Sequence, residues 1–162
     1  NRKRAMARKV SNALGGNLRG KTVAVLGLTF KPDTDDMREA PSRVIVAELL
    51  RRGARVRAYD PVAGPEARRV FGNLPGLEIV DSAVQALCAA DALLVVTEWR
   101  EFKSPDFDAI RTSLKRPLVL DGRNLYDPAL MQTLGIEYSG IGREGLPPPD
   151  RMGAGASAGR QT

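Results

Sequence analysis

The stretch that most limits what this chain can become is Thr22 to Leu28, T-V-A-V-L-G-L, a β-branched and leucine run closed by Gly27. It is apolar at nearly every position, not at alternate ones. That suits a strand covered on both faces, as in parallel sheets flanked by helices. The chain leaves this run through a charged loop. Lys31 and Arg38 are its cations, and Asp33, Asp35, Asp36 and Glu39 are its acids. An amphipathic helix opens at Pro41, since proline fits a helix's first position, where its missing N–H costs nothing. Ile45, Val46, Leu49 and Leu50 form its apolar face, and Gly53 ends it. A loop just past the C-terminal end of a first parallel strand is where open α/β sheets bind ligands. Lys31 is therefore a candidate to meet a ligand's negative charge. The plainer reading is that these charges only solvate a loop.

The same alternation runs through the rest of the chain. Met6, Val10, Ala13 and Leu14 fall at helical spacing before Gly15-Gly16, so a helix is expected over about Arg2 to Leu14. Arg55 to Asp60 reads as a second strand, Pro65 to Phe71 as a short helix and Leu77 to Val80 as a weak strand. Asp81-Ser82 caps a helix whose inner face is expected to be Ala83, Val84, Leu87 and Cys88. Ala92 to Thr97 is the clearest strand, suited to a central position. Trp99 just beyond it reads as a packing residue. Ser104 is expected to cap a helix with Pro105 at its first position and Phe107, Ile110 and Leu114 inside. Leu118 to Leu120 gives another strand, Asp127-Pro128 starts a short helix ending at Gly135, and Ile136 to Ser139 reads as an edge strand.

This pattern predicts an α/β, Rossmann-like, doubly wound and mostly parallel sheet with helices on both faces, a three-layer αβα arrangement. The usual strand order, 3-2-1-4-5, puts Arg123 on the same rim as Lys31, because Asp121-Gly122-Arg123 leaves the strand after Leu120. An arginine grips a phosphate or planar group with paired hydrogen bonds, whereas a lysine acts as a point charge. Two such cations on one rim favour an anion site more than either does alone. Asp60 has two readings: an acid holding a ribose hydroxyl at the end of a second strand, or the start of an Asp-Pro turn. The turn is favoured because Gly27 stands alone where G-x-G-x-x-G would be expected. Without the further glycines the backbone has no usual cradle for a pyrophosphate. A side-chain cation is the natural substitute.

Composition narrows the classes. The net charge of +6 invites a nucleic-acid reading, but it sits at the ends. Residues 1–9 carry five positive charges and residues 143–162 a net one, so residues 10–142 sum to zero. A nucleic-acid-binding domain should carry a basic face on the fold itself. No apolar run approaches the ~20 residues that span a bilayer, and the basic start is followed by no apolar stretch of a signal peptide. The single cysteine, Cys88, fits a reducing compartment and is expected to be buried. There is no histidine to activate it.

Four ordered blocks carry a resemblance. G-L-T-F-K-P-D-T-D-D-M-R-E-A-P-S (27–42), Ala58-Tyr59-Asp60-Pro61, Thr97-Glu98-Trp99 with Phe102, and Asp121-Gly122-Arg123-Asn124 together resemble the C-terminal domain of the UDP-glucose/GDP-mannose dehydrogenase family, its UDP-glucose 6-dehydrogenases above all. The likeness covers roughly residues 1 to 143.

The resemblance implies an enzyme that oxidises C6 of a nucleotide sugar to a carboxylate in two NAD-dependent steps. It assigns Phe30, Lys31 and Arg123 to the substrate and Arg38 to the cofactor, NAD. The glycines that hold the cofactor, the catalytic cysteine and its partners have no counterparts here. This piece alone is expected to be inactive and to hold no catalytic or metal-binding residue. The resemblance further implies a division into the end of an inter-domain helix (1–16) and a UDP-sugar-binding domain (17–143), with a cut point at residue 1. Residues 144–162, rich in Gly, Pro, Ala and Ser with almost no bulky apolar residue, are expected from composition to be a disordered tail. It implies UDP-glucose as partner, a homodimer and the cytoplasm. Two alternatives stay open. One is a stand-alone flavodoxin-like or receiver-like module. The other is a dehydrogenase of another nucleotide sugar, GDP-mannose or a UDP-N-acetylhexosamine.

Overall fold

The apolar runs become strands, and the amphipathic stretches between them helices, in the computed structural model, which describes residues 2–140. Helix α1 (Arg2–Ala13) leads to β1 (Thr22–Leu26), α2 (Pro41–Arg51) and β2 (Arg55–Tyr59). Helix α3 (Gly64–Phe71), β3 (Leu77–Ile79), the short α4 (Ala83–Leu87) and β4 (Ala92–Val95) follow. Then come α5 (Arg100–Lys103), α6 (Phe107–Ser113), β5 (Leu118–Asp121), α7 (Pro128–Thr133) and β6 (Glu137–Ser139). The tail expected from residue 144 lies outside the described residues.

The strands lie in the order β3-β2-β1-β4-β5-β6, every neighbouring pair parallel. This is the expected doubly wound order with β6 added at one edge. Leu26 stands level with Tyr59 on one side and with Val95 on the other, and Val95 with Asp121. Four strands therefore end at a common rim. Between β1 and β4 the winding reverses, which leaves a crevice at their C-terminal ends.

Alternate residues of each strand serve opposite faces. Val23 and Val25 of β1 join a core with Ala7, Val10 and Leu14 of the N-terminal segment and Ile45, Val46 and Leu49 of α2. Ala24 and Leu26 join Leu93 and Val95 of β4, with Ile110 of α6, Met131 of α7 and Trp99 on the other side. Every β4 residue is buried, as a central strand requires. Burying a Val or Leu side chain contributes about 1.5–3 kcal/mol, so Val10 and, just past α1, Leu14 fasten the N-terminal segment to the core it shares with α2. Near β5, a Cβ built on Gly122 would lie 2.7 Å from Met6 Cε and 2.9 Å from the Val95 carbonyl oxygen. Only glycine fits there.

Two expectations are corrected. Cys88 is exposed, and so is Val84, at 67%. Leu87 is buried and Ala83 packs partly buried against the core as expected, but Ala86 completes the inner face of α4 in place of Val84 and Cys88, with Ala90 just beyond the helix. Small alanines let a one-turn helix lie close to the sheet, and their weak hydropathy hid this face behind Val84 and Cys88. As C-cap, Cys88 has ψ 112 and turns out of the helix. The second correction concerns Ser104. It does not start the helix: it is the C-cap of α5, and the N-cap of α6 is Asp106, which accepts from the Ala109 N–H at 3.1 Å. The extra turn α5 precedes it and turns Phe102 inward, to 2% exposure.

Candidate functional site

The rim at the C-terminal ends of β1, β2, β4 and β5 gathers the charged loops, and their backbones are held by buried polar side chains. Beyond Leu26 the chain turns at Gly27, whose φ of +97° puts it in the left-handed region that favours glycine. A Cβ here would stand 2.5 Å from Thr97 Cβ. The Leu28 N–H donates to Asp60 Oδ2 (2.8 Å), and Ser42 Oγ donates to the Leu28 carbonyl (2.6 Å). Thr97 Oγ1 donates to the Thr29 carbonyl (2.8 Å), and Thr29 Oγ1 to that of Lys31 (2.8 Å). The Phe30 N–H donates to the Asp36 carbonyl across the loop. With its backbone so fixed, the loop turns Phe30 and Lys31 outward, along with Asp33, Asp35, Arg38 and Glu39. Phe30 is 56% exposed, and Lys31 is exposed as well.

Asp60 resolves between its two readings. It is 5% exposed. Oδ2 also accepts from Trp99 Nε1 (3.1 Å), and Oδ1 from the Val62 and Ala63 N–H groups (2.9 and 2.8 Å). Four donors fill its lone pairs, so it is the turn-forming acid and not a ribose ligand. It ties the loops after β1, β2 and β4 together. Trp99, 6% exposed, is the expected packing residue.

Asp121 does the same work at β5. Fully buried, it accepts from the Arg123, Leu125 and Tyr126 N–H groups and from the Tyr138 hydroxyl. Arg123 itself is exposed, and its Nη2 pairs with Glu98 Oε2 at 2.7 Å. Burial pushes the Glu98 carboxyl up. The hydrogen bond and charge of Arg123, helped by Glu98's own backbone N–H and by Lys103, outweigh that and hold it below its usual range. Two oxygens in this corner, Glu98 Oε1 and Asn124 Oδ1, are buried without a partner. Arginine has five N–H donors, so the pairing with Glu98 leaves Arg123 others to offer.

Lys31 and Arg123 thus stand on opposite sides of the loop after β4. A path of contacts joins them, Lys31–Thr29–Thr97 on one side and Glu98–Arg123 on the other, with Thr97 and Glu98 adjacent in the chain. Arg38 lies further along the first loop, its side chain 87% exposed, and binds Asp36 through two nitrogens at 3.0 Å. The hydrogen bond from Arg38 holds the Asp36 carboxyl down at about 2.

The residues present do not form a dinucleotide cradle. The Leu28 N–H is taken by Asp60, and α2 starts at Pro41 without a side-chain cap. Among the described residues, no group of three or more Cys, Asp or Glu is placed to hold a metal. A groove of about 400 Å³ does exist, lined by Thr22, Arg55, Arg57 and Glu78 among others. It opens where β1, β2 and β3 begin, the opposite edge from the one where such sheets bind ligands. The hydroxyls of Thr29, Ser42 and Thr97 escaped sequence reasoning as parts of this rim, although each lies within a block quoted above.

Residues 24–128 match the UDP-glucose/GDP-mannose dehydrogenase family, UDP binding domain. The chain is 47% identical over 143 residues to a UDP-glucose 6-dehydrogenase of Rhizobium meliloti, covering 88% of this chain and 32% of that protein. It is 52% identical over 131 residues to one of Pseudomonas aeruginosa, covering 79% and 29%. Among solved structures, a UDP-glucose dehydrogenase from the archaeon Pyrobaculum islandicum superposes with a TM-score of 0.70 at 31% identity, over 86% of this chain and 29% of that one. The chain spans about a third of the length of the relatives it matches.

Proposed function

The chain belongs to the UDP-glucose/GDP-mannose dehydrogenase family, and on that footing we propose that it is the UDP-sugar-binding C-terminal domain of an NAD-dependent UDP-glucose 6-dehydrogenase. In this reading the enzyme converts UDP-glucose to UDP-glucuronate in two successive oxidations, with NAD, bound mainly by another domain, as the hydride acceptor. The observation that carries the proposal is the rim itself: two cations, Lys31 and Arg123, reach solvent from loops whose backbones are anchored beneath them. A sugar diphosphate is an anion of matching chemistry. Lys31 supplies a point charge and Arg123 a directional fork. Phe30 offers an exposed apolar face beside them.

This domain binds and orients, and supplies no reacting group. Cys88 lies at the end of α4 that leads into the start of β4, toward the edge opposite the rim. Arg38 points to solvent and would turn toward an anion brought by the NAD-binding domain by letting go of Asp36. We place the complete enzyme in the cytoplasm as a homodimer, with no nucleic-acid or membrane partner. The neutral charge of residues 10–142 and the lone cysteine agree with this. Among the described residues no helix is long and apolar enough to cross a membrane. The buried, fully bonded Asp60 speaks against a receiver-like module, which needs an accessible phosphoacceptor.

The test is titration of the chain with UDP, UDP-glucose and GDP-mannose while backbone amide resonances are followed. Shifts clustered at residues 28–31 and 121–124, saturating with UDP and UDP-glucose, are the expected result. Shifts confined to the groove at Arg55 and Arg57, or none at all, would overturn the proposal.

A further inference from the structure

We propose that Thr97 is a positioning residue for Lys31, acting from beneath the loop through Thr29. The inference rests on the reading of this rim as a UDP-sugar site and adds to it how the site is kept in shape. Thr97 ends the buried run A-L-L-V-V-T, where burial alone would be served as well by valine. Yet it is a threonine with no exposed surface, and a buried hydroxyl requires a partner. That partner lies 68 residues away, at the Thr29 carbonyl, 2.8 Å from Oγ1.

Thr29 is just as buried and passes the connection on, its own Oγ1 donating to the Lys31 carbonyl at 2.8 Å. The parallel ladder between β1 and β4 has ended by this point, its last bond running from the Val96 N–H to the Leu26 carbonyl. Side-chain hydroxyls therefore continue the connection between these two segments where backbone pairing stops. Gly27 belongs to the same device. A Cβ there would fall 2.7 Å from Thr97 Oγ1, so the bare backbone is what lets Thr97 come close enough. The outcome is a lysine whose main chain is settled before a ligand arrives, while its side chain remains exposed. Ordering done in advance is not charged to binding.

Four variants of the 162-residue chain, Lys31→Ala, Thr97→Val, Thr97→Ser and the double Lys31→Ala/Thr97→Val, decide the matter through their UDP dissociation constants, read by amide-shift titration. Lys31→Ala is expected to weaken UDP about tenfold or more, the scale of a lost charged hydrogen bond. Thr97→Val should weaken it about three- to tenfold, and Thr97→Ser, which keeps the hydroxyl, less than about twofold. Added to Lys31→Ala, Thr97→Val should change affinity by less than about 1.5-fold, because residues acting through one another are not additive.

An equal loss from Thr97→Val in both backgrounds would mean general loosening and would overturn the proposal, as would wild-type affinity in Thr97→Val. Unchanged affinity in Lys31→Ala would instead remove the UDP-site reading itself, and this inference with it. Thr29→Val breaks the same relay one step nearer Lys31 and takes the place of Thr97→Val in the cycle if that variant fails to fold.

Discussion

Replacing Asp60 by Asn tests how the rim is held. The carboxylate accepts N–H groups from Leu28 (2.8 Å), Val62 (2.9 Å) and Ala63 (2.8 Å), and the indole N–H of Trp99 (3.1 Å). Asparagine keeps one oxygen and turns an NH₂ at two N–H groups, so two of the four bonds are lost whichever way the amide faces. A hydrogen bond to a charged group contributes about 1.5–3 kcal/mol, and a buried donor left alone costs about 1–3 kcal/mol.

With the oxygen kept toward Leu28 and Trp99, the lost donors are Val62 and Ala63. Val62, 51% exposed, can turn to water, and Ala63 cannot. The net loss should then be about 2–4 kcal/mol, a large share of the 5–15 kcal/mol typical of a domain. The matching fall in Tm is about 4–16 °C. Thermal and urea unfolding followed by fluorescence is the natural assay, because Trp99 is the chain's only tryptophan and its indole contacts the mutated group. A loss below about 0.5 kcal/mol, the level of an ordinary surface change, would refute the idea that this carboxylate ties three loops together.

Three further expectations follow from the same geometry. In the complete enzyme that carries this domain, Lys31→Ala and Arg123→Ala should each lower kcat/KM for UDP-glucose about ten- to a hundredfold, mainly through KM; unchanged kinetics in both would remove their role at the substrate. Cys88, being exposed, should react stoichiometrically with a maleimide in the native state, and labelling that waits for denaturant would contradict its placement. The Glu98 carboxyl titrates below its ordinary 4.5. Its pair with Arg123 therefore contributes fully above about pH 4.5 and is lost as pH falls through the lower folded value. Urea unfolding across pH 6 to 3 should show a shallower decline for Glu98→Gln, and an identical profile would count against the pair.

What the sequence revealed was whatever shows up as local pattern. Thr22–Leu26 and Ala92–Val95 announce themselves because strands buried on both faces carry unbroken apolar runs. Once such strands alternate with helices, the doubly wound order places Lys31 and Arg123 on one rim without further information. What stayed hidden has two physical sources. Bonds such as Thr97 to Thr29 join residues 68 positions apart and leave no periodic trace in either segment. In α4, a helix of five residues, two bulky apolar side chains outweigh small alanines in any count, although the alanines pack inward. The cap of α6 went wrong for a related reason. Ser104 and Asp106 are both good caps, and only the inward demand of Phe102 puts a separate turn before Asp106.

The anchoring of the rim by buried Asp60 and Asp121 bears on how the protein meets changing ionic strength. Mobile ions shorten the reach of exposed Lys31 and Arg123 to roughly 8 Å at 0.15 M salt, so an approaching diphosphate is drawn in less strongly. Those ions have no access to carboxylates at 5% exposure or less. Brine dims the beacon, while the berth keeps its outline.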